Sequence, residues 1–197
     1  LSPPAEKTIQ KDRRIRGGLS VYCEEKFMLE TSDLILKHAV FEDWENIWNN
    51  LWSHPESAKY MLWSPTFTAE EAQDRMRRTI SFEALHPNCF LVYEKASGQA
   101  IGFAGMEERE SGVWEETGIA LGPAFTGKGY GTQILCALIQ EAKDHLHATR
   151  FLYACRSENK ASQALRRSFG FEPTFKEDRI DPRNDQPYTL EHFELKL

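Results

Sequence analysis

A strand-like run over 113–121 leads into Thr126-Gly-Lys-Gly-Tyr-Gly-Thr132, and a helix-like run over 131–145 begins where the glycines end. Three glycines in five positions let the backbone turn sharply and approach a ligand closely. The first N–H groups of a helix lack intrahelical partners and carry partial positive charge. A loop in this place is a natural seat for phosphate or pyrophosphate. Glycine loops before helices also serve as plain turns, so the loop alone leaves both readings open.

Two nucleotide-binding patterns come close and fail. Gly122-Pro-Ala-Phe-Thr-Gly-Lys-Gly129 approaches the P-loop form, but position 129 lacks the hydroxyl that would hold Mg²⁺. Pro123 also removes a backbone donor. The dinucleotide fingerprint needs a different glycine spacing and an acidic residue after the next strand.

The following segment adds a second motif. Residues 150–155, Arg-Phe-Leu-Tyr-Ala-Cys, read as a strand. Asn159-Lys-Ala-Ser162 then opens a short helix that runs to Gly170-Phe171. Thr126-x-x-Gly129-x-Gly131 followed by Asn159-x-x-Ser162 and Gly170-Phe171 resembles the GNAT acetyltransferase superfamily. The resemblance extends over residues 34–197. The Asn-x-x-Ser form and the opening Leu29-Glu-Thr-Ser-Asp-Leu-Ile-Leu36 resemble the branch of ribosomal-protein N-terminal acetyltransferases, which also holds enzymes acting on small amines. There are two departures. Thr126 stands where the family usually has Arg or Gln, and Arg166 stands where many relatives carry a general-acid tyrosine.

The resemblance implies an α/β GNAT fold. Its mixed sheet of six or seven strands is splayed between the fourth and fifth, with helices on both faces. It also implies acetyl-CoA as acyl donor and a primary amine as acceptor, either a protein N-terminus or a small molecule. Backbone groups near Ile119, Ala120 and Leu121 would hold the pantetheine arm. The loop at Thr126, Gly127, Lys128, Gly129, Tyr130, Gly131 and Thr132 would hold the pyrophosphate. Asn159 would contact the pantetheine arm while capping its helix. Glu116, just before the splay, is the candidate base, with Glu115 as its alternative on the opposite strand face. Ser162 is the candidate acid.

Composition narrows the remaining classes. The 197 residues suit one domain that needs neither disulfides nor metal to bury a core. The formal net charge is −6, and residues 1–27 carry six Lys/Arg and four Asp/Glu, leaving −8 on residues 28–197. That balance argues against a nucleic-acid surface and suits a cationic amine acceptor. No apolar run is long enough to cross a bilayer, and Leu1-Ser-Pro-Pro lacks a leader pattern. Four scattered cysteines read as free thiols of a cytoplasmic protein, and the six histidines show no metal-ligand spacing. Residues 1–27, broken by Pro3-Pro4 and Gly17-Gly18, are expected to be an extension or start-site artefact outside a 28–197 domain. The assembly is expected to be a monomer or homodimer. Two competing readings are an acyl-CoA sensor without catalysis and a nucleotide-binding module.

The remaining pattern concerns the acceptor. Trp44, Ile47, Trp48, Leu51 and Trp52 recur at helical spacing within 41–51 and just beyond it. Trp48 is the member of that stripe assigned to the acceptor wall. Tyr60, Trp63 and Phe67 follow in a Ser/Pro-containing loop, where aromatics point to binding. Thr68-x-x-Glu71 is a capping box for a helix running to about residue 85. Residues 89–95 and 100–106 read as a hairpin about Ser97-Gly98, and 171–177 and 189–196 read as two final strands.

Overall fold

The computed structural model describes residues 28–197, and the expectation for residues 1–27 lies outside the described residues. Eight strands form one mixed sheet in the order β1-β2-β3-β4-β5-β6-β8-β7. β1 is Met28–Glu30, β2 Leu34–Lys37, β3 Cys89–Glu94 and β4 Ala100–Glu110. β5 is Val113–Leu121, β6 Arg150–Arg156, β7 Glu172–Ile180 and β8 Pro187–Lys196. β5 and β6 are the parallel neighbours, and the other neighbouring strands run antiparallel. The strand count exceeds the expected six or seven because Met28–Glu30 pairs with β2 as an edge.

Alternation along β3 divides the interior in two. Phe90 and Val92 face one core, and Leu91 and Tyr93 face the other. The first core is sealed by α4, Tyr130–Asp144, which buries Ile134, Leu135, Leu138 and Ala142 along one stripe. α5, Lys160–Ser168, lies at the edge of this core through Leu165. The second core is covered by α1, Trp44–Ile47, and α3, Ala69–Glu83. Thr68 caps α3 as its box predicts, accepting from Glu71 N at 3.3 Å.

The aromatic stripe differs from the uniform helix its spacing suggests. Phe41–Asp43 is a 3₁₀ turn, α1 follows, and Trp48–Trp52 widens into a π turn. The backbone there lies so close to Gly122 that any Cβ at 122 would meet Asn50 O at 1.9 Å. A short helix that the sequence pattern did not reveal, α2 over Pro55–Ala58, precedes the Tyr60 loop.

The sheet opens between β5 and β6. They pair only through Val113↔Arg150, Trp114↔Phe151 and Glu115↔Leu152. Past this point β5 stays with β4 while β6 follows β8, so one backbone edge of each strand faces a gap. On β4 the register shifts so that Glu116 pairs with Met106 and Gly118 with Gly105, leaving Thr117 as a bulge. The bulge changes which face the rest of β5 presents. Ala120 turns to the second core, and Ile119 and Leu121 pack against the first.

Candidate active site

A cleft of about 1350 Å³ occupies the gap between β5 and β6. At one end lies the glycine loop. Gly127 and Gly129 have φ of +74° and +79°, a left-handed backbone that strains other residues. A Cβ at either position would meet nothing within 4 Å, so conformation, not crowding, calls for glycine there. α4 starts after Gly129 without a side-chain cap, and its first intrahelical bond is Gln133 N to Gly129 O at 3.2 Å. The N–H groups of Gly127, Lys128, Gly129, Tyr130, Gly131 and Thr132 have no acceptor among the described residues. These free donors, with the positive end of α4 behind them, fit a pyrophosphate.

The side chains of the loop are used differently. Thr126 Oγ1 donates to Pro123 O at 2.9 Å and steadies the preceding turn. Lys128 Nζ lies 3.5 Å from Glu94 Oε1 and above the rings of Phe125 and Tyr130. Tyr130 OH donates to the same Glu94 at 2.7 Å. Lys128 and Tyr130 therefore anchor the loop to β3, and neither side chain lines the cleft.

The middle of the cleft carries the titratable groups. Glu116 is half-buried there; desolvation, partly offset by a hydrogen bond from Gly118 N–H, pushes its carboxyl up to about 8, with the Glu115 charge adding to the rise. Glu115 reaches the cleft from the other sheet face, where its carboxylate is ion-paired with Arg109 Nε. Across the gap, Tyr153 and Ser162 hydroxyls lie 2.6 Å apart. Tyr153 is held firmly protonated, first by burial and then by the nearby Glu116 charge. Ser162 N donates to Asn159 Oδ1 at 3.2 Å, the cap of α5. Cys155 shares this wall, and burial raises its thiol.

Most of the sequence-derived site residues meet in this cleft. Glu116, Ile119, Leu121, Thr126, Gly127, Gly129, Gly131, Thr132, Asn159 and Ser162 line it, as do Tyr60 and Trp63 from the acceptor set. Ala120 turns its side chain to the second core and is not among the residues lining the cleft. Trp48 is structural: it stacks on Trp44 and donates Nε1–H to Thr66 O at 2.9 Å. Phe67 lines a separate adjoining cavity.

Two features of the site lie outside the sequence reading. One is Tyr153, whose sequence signal was only its place in an apolar strand nine residues before Ser162. The other is a clamp over the cleft. Arg183, in the loop between β7 and β8, donates to Ala58 O at 2.7 Å and to Trp63 O at 3.0 Å. Asp181 holds Arg183 and Arg156 together, at 2.6 and 2.8 Å, and is almost wholly enclosed. Tyr60 OH adds a 3.3 Å bond to Glu158 O on the far side. The segment bearing Tyr60 and Trp63 is thereby tied across both halves of the sheet.

The family described as an acetyltransferase (GNAT) domain matches residues 33–172. An uncharacterized N-acetyltransferase, p20, from Bacillus licheniformis is 30% identical over 148 residues, covering 73% of this chain and 82% of that protein. Among solved structures, the microcin C7 self-immunity acetyltransferase MccE, in complex with acetyl-CoA and AMP, superposes with a TM-score of 0.72 at 18% identity. The match covers 85% of this chain and 94% of MccE. RimL, a ribosomal L7/L12 α-N-protein acetyltransferase in complex with coenzyme A, gives 0.72 at 17% identity, covering 87% and 98%.

Proposed function

The chain belongs to the GNAT acetyltransferase family, and from that premise we propose that it moves an acetyl group from acetyl-CoA directly to a primary amine in the cleft between β5 and β6. The acceptor is a small-molecule amine or a protein N-terminal α-amine. The single observation that carries the reading is one continuous cleft joining free loop donors, an unpaired strand edge, Glu116 and the Tyr153–Ser162 pair.

Each residue has a task in this scheme. Backbone donors of the glycine loop bind the pyrophosphate, at roughly 1.5–3 kcal/mol for each charge-assisted bond. The open edge of β5 at residues 116–121 holds the pantetheine arm as a strand would, and one N–H there polarises the thioester carbonyl. Glu116 takes a proton from the acceptor ammonium, directly or through a water, and the neutral amine then attacks the thioester carbonyl. Ser162, backed by Tyr153, donates a proton to the leaving thiolate. Cys155 is kept protonated by burial, which supports direct transfer over an acyl-cysteine intermediate. A sensor without catalysis would suit an absent or exposed base, whereas Glu116 is half-buried within the cleft. The free thiols Cys89, Cys136 and Cys155 suit a cytoplasmic setting, and no described helix is long and apolar enough to cross a membrane.

Calorimetry with acetyl-CoA and with Mg²⁺-ATP tests the assignment. Micromolar binding of acetyl-CoA is expected. Tight binding of Mg²⁺-ATP with no response to acetyl-CoA would overturn it.

A further inference from the structure

A second cavity, of about 700 Å³, adjoins the cleft on the α1 and α3 side of the sheet. The two adjoin, sharing Trp63, Phe82, Phe103 and Thr117 in their walls. Thr117 is the bulge residue next to Glu116, which puts the junction beside the proposed base. The side cavity is the smaller of the two and has a dense aromatic wall: Trp52, Trp63, Phe67, Phe82 and Phe103 line it. Phe67 and Phe82 stand at its rim with 69% and 47% of their surface exposed. Exposed aromatics beside a cavity of this size, within the range of about 300–1,000 Å³ typical of small-molecule sites, mark a binding surface.

The charged groups of this cavity are mostly engaged within the protein. Arg75 is stacked between the rings of Trp52 and Trp63, and it donates to Ser64 O and Thr66 Oγ1. Glu71 accepts from the N–H groups of Phe67 and Thr68. Glu83 accepts from Ala39 N–H at 2.6 Å. Arg78, at the exposed rim, is the remaining charge. With Glu71, Glu83 and Arg75 engaged inside the protein and Arg78 exposed to solvent, none of these charged groups is left buried and waiting for a charged ligand.

We infer that this cavity seats the body of the acceptor, and that the acceptor is a small primary amine with an aromatic or bulky apolar, uncharged substituent. The amine sits at the Thr117 junction and the substituent fills the aromatic side cavity. The inference rests on the acetyltransfer reading above and narrows it. A protein N-terminus beginning with small polar residues would leave the cavity unfilled.

The test compares kcat/KM at saturating acetyl-CoA for L-phenylalaninamide, glycinamide and a short peptide beginning Ser-Ala. Acetyl-CoA affinity is measured by calorimetry on the same protein. Burial of one large apolar side chain predicts at least about a tenfold preference for phenylalaninamide over glycinamide. Phe67→Ala removes part of the rim, and Thr79→Trp fills the cavity from α3. Both are expected to shrink that preference through KM, with acetyl-CoA affinity unchanged. Equal or better turnover of glycinamide or the peptide overturns the inference, as does a preference that survives both substitutions. Acetyl-CoA binding without turnover of phenylalaninamide overturns it too, while leaving the donor site standing. Failure to bind acetyl-CoA at all removes instead the reading on which it rests.

Discussion

A carboxyl near pH 8 in the fold and near 4.3 in an unfolded chain makes Glu116 both a base and a cost. The folded state holds the proton more tightly than the unfolded one. Its contribution to stability is therefore neutral below about pH 4 and grows more unfavourable as the pH climbs towards 8, where the folded carboxyl itself ionises. Glu116→Gln keeps an acceptor for Gly118 N–H and removes the ionisation. Chemical denaturation should show the variant gaining on wild type between pH 5 and 8, by up to a few kcal/mol at most. Turnover should move the opposite way and fall by about 10²–10⁴-fold, with acetyl-CoA binding retained. The wild-type rate should rise through pH 8, and the variant should lose that limb. A variant with the wild-type rate and pH profile would clear Glu116 of the role and turn attention to Glu115. Tyr153→Phe separates a second contribution: it removes the hydroxyl 2.6 Å from Ser162 without changing the ring packed in the core. A reduced kcat with little change in amine KM is expected. An unaffected kcat would confine Tyr153 to packing.

The glycine loop and the start of α4 form one element with two distinct demands. Gly129 needs its left-handed backbone, so Gly129→Val should lower stability by about 1–2 kcal/mol as well as cofactor affinity. Gly131 has an ordinary helical backbone, and a Cβ there would make only a 3.6 Å contact with Leu165. Gly131→Ala should therefore hold or slightly raise stability while weakening acetyl-CoA binding, because the added methyl meets the ligand rather than the protein. Thermal melts paired with calorimetry distinguish the two, and normal binding by both variants would remove the phosphate role. These local features were legible in the sequence because the loop, the α3 capping box and the β3–β4 turn use residues whose backbone preferences act over a few positions. The side-chain spacing at 44–52 gave the buried face but not the π turn, which packs closely against Gly122, far away in the chain. The bulge at Thr117 depends on pairing with β4, and the Tyr153–Ser162 contact on how α5 meets β6. Neither is written in local spacing. The Arg183 clamp joins positions more than 100 residues apart, so only the folded sheet brings it together.

For the molecule as a whole, the clamp couples the two halves of an open sheet. Arg156, Asp181 and Arg183 hold the β7–β8 loop to the segment that carries Tyr60 and Trp63. Arg183→Ala should loosen that segment and raise the acceptor KM severalfold, with a smaller effect on acetyl-CoA affinity because Arg183 makes no contact with the glycine loop. Equal losses for donor and acceptor would show the clamp supporting the whole cleft. Donor binding should also stabilise the fold, by about 2.7 kcal/mol at a hundred times the dissociation constant. The most direct measurement of the central claim follows free thiol release and the N-acetylated amine together, by mass spectrometry, when the chain is mixed with acetyl-CoA and a primary amine. One acetylated amine is expected for each coenzyme A released, with both rates falling together in Glu116→Gln. Acetyl-CoA bound tightly, with no acetylated amine formed across apolar, polar and peptide amines, would contradict it and leave a binding protein rather than a catalyst.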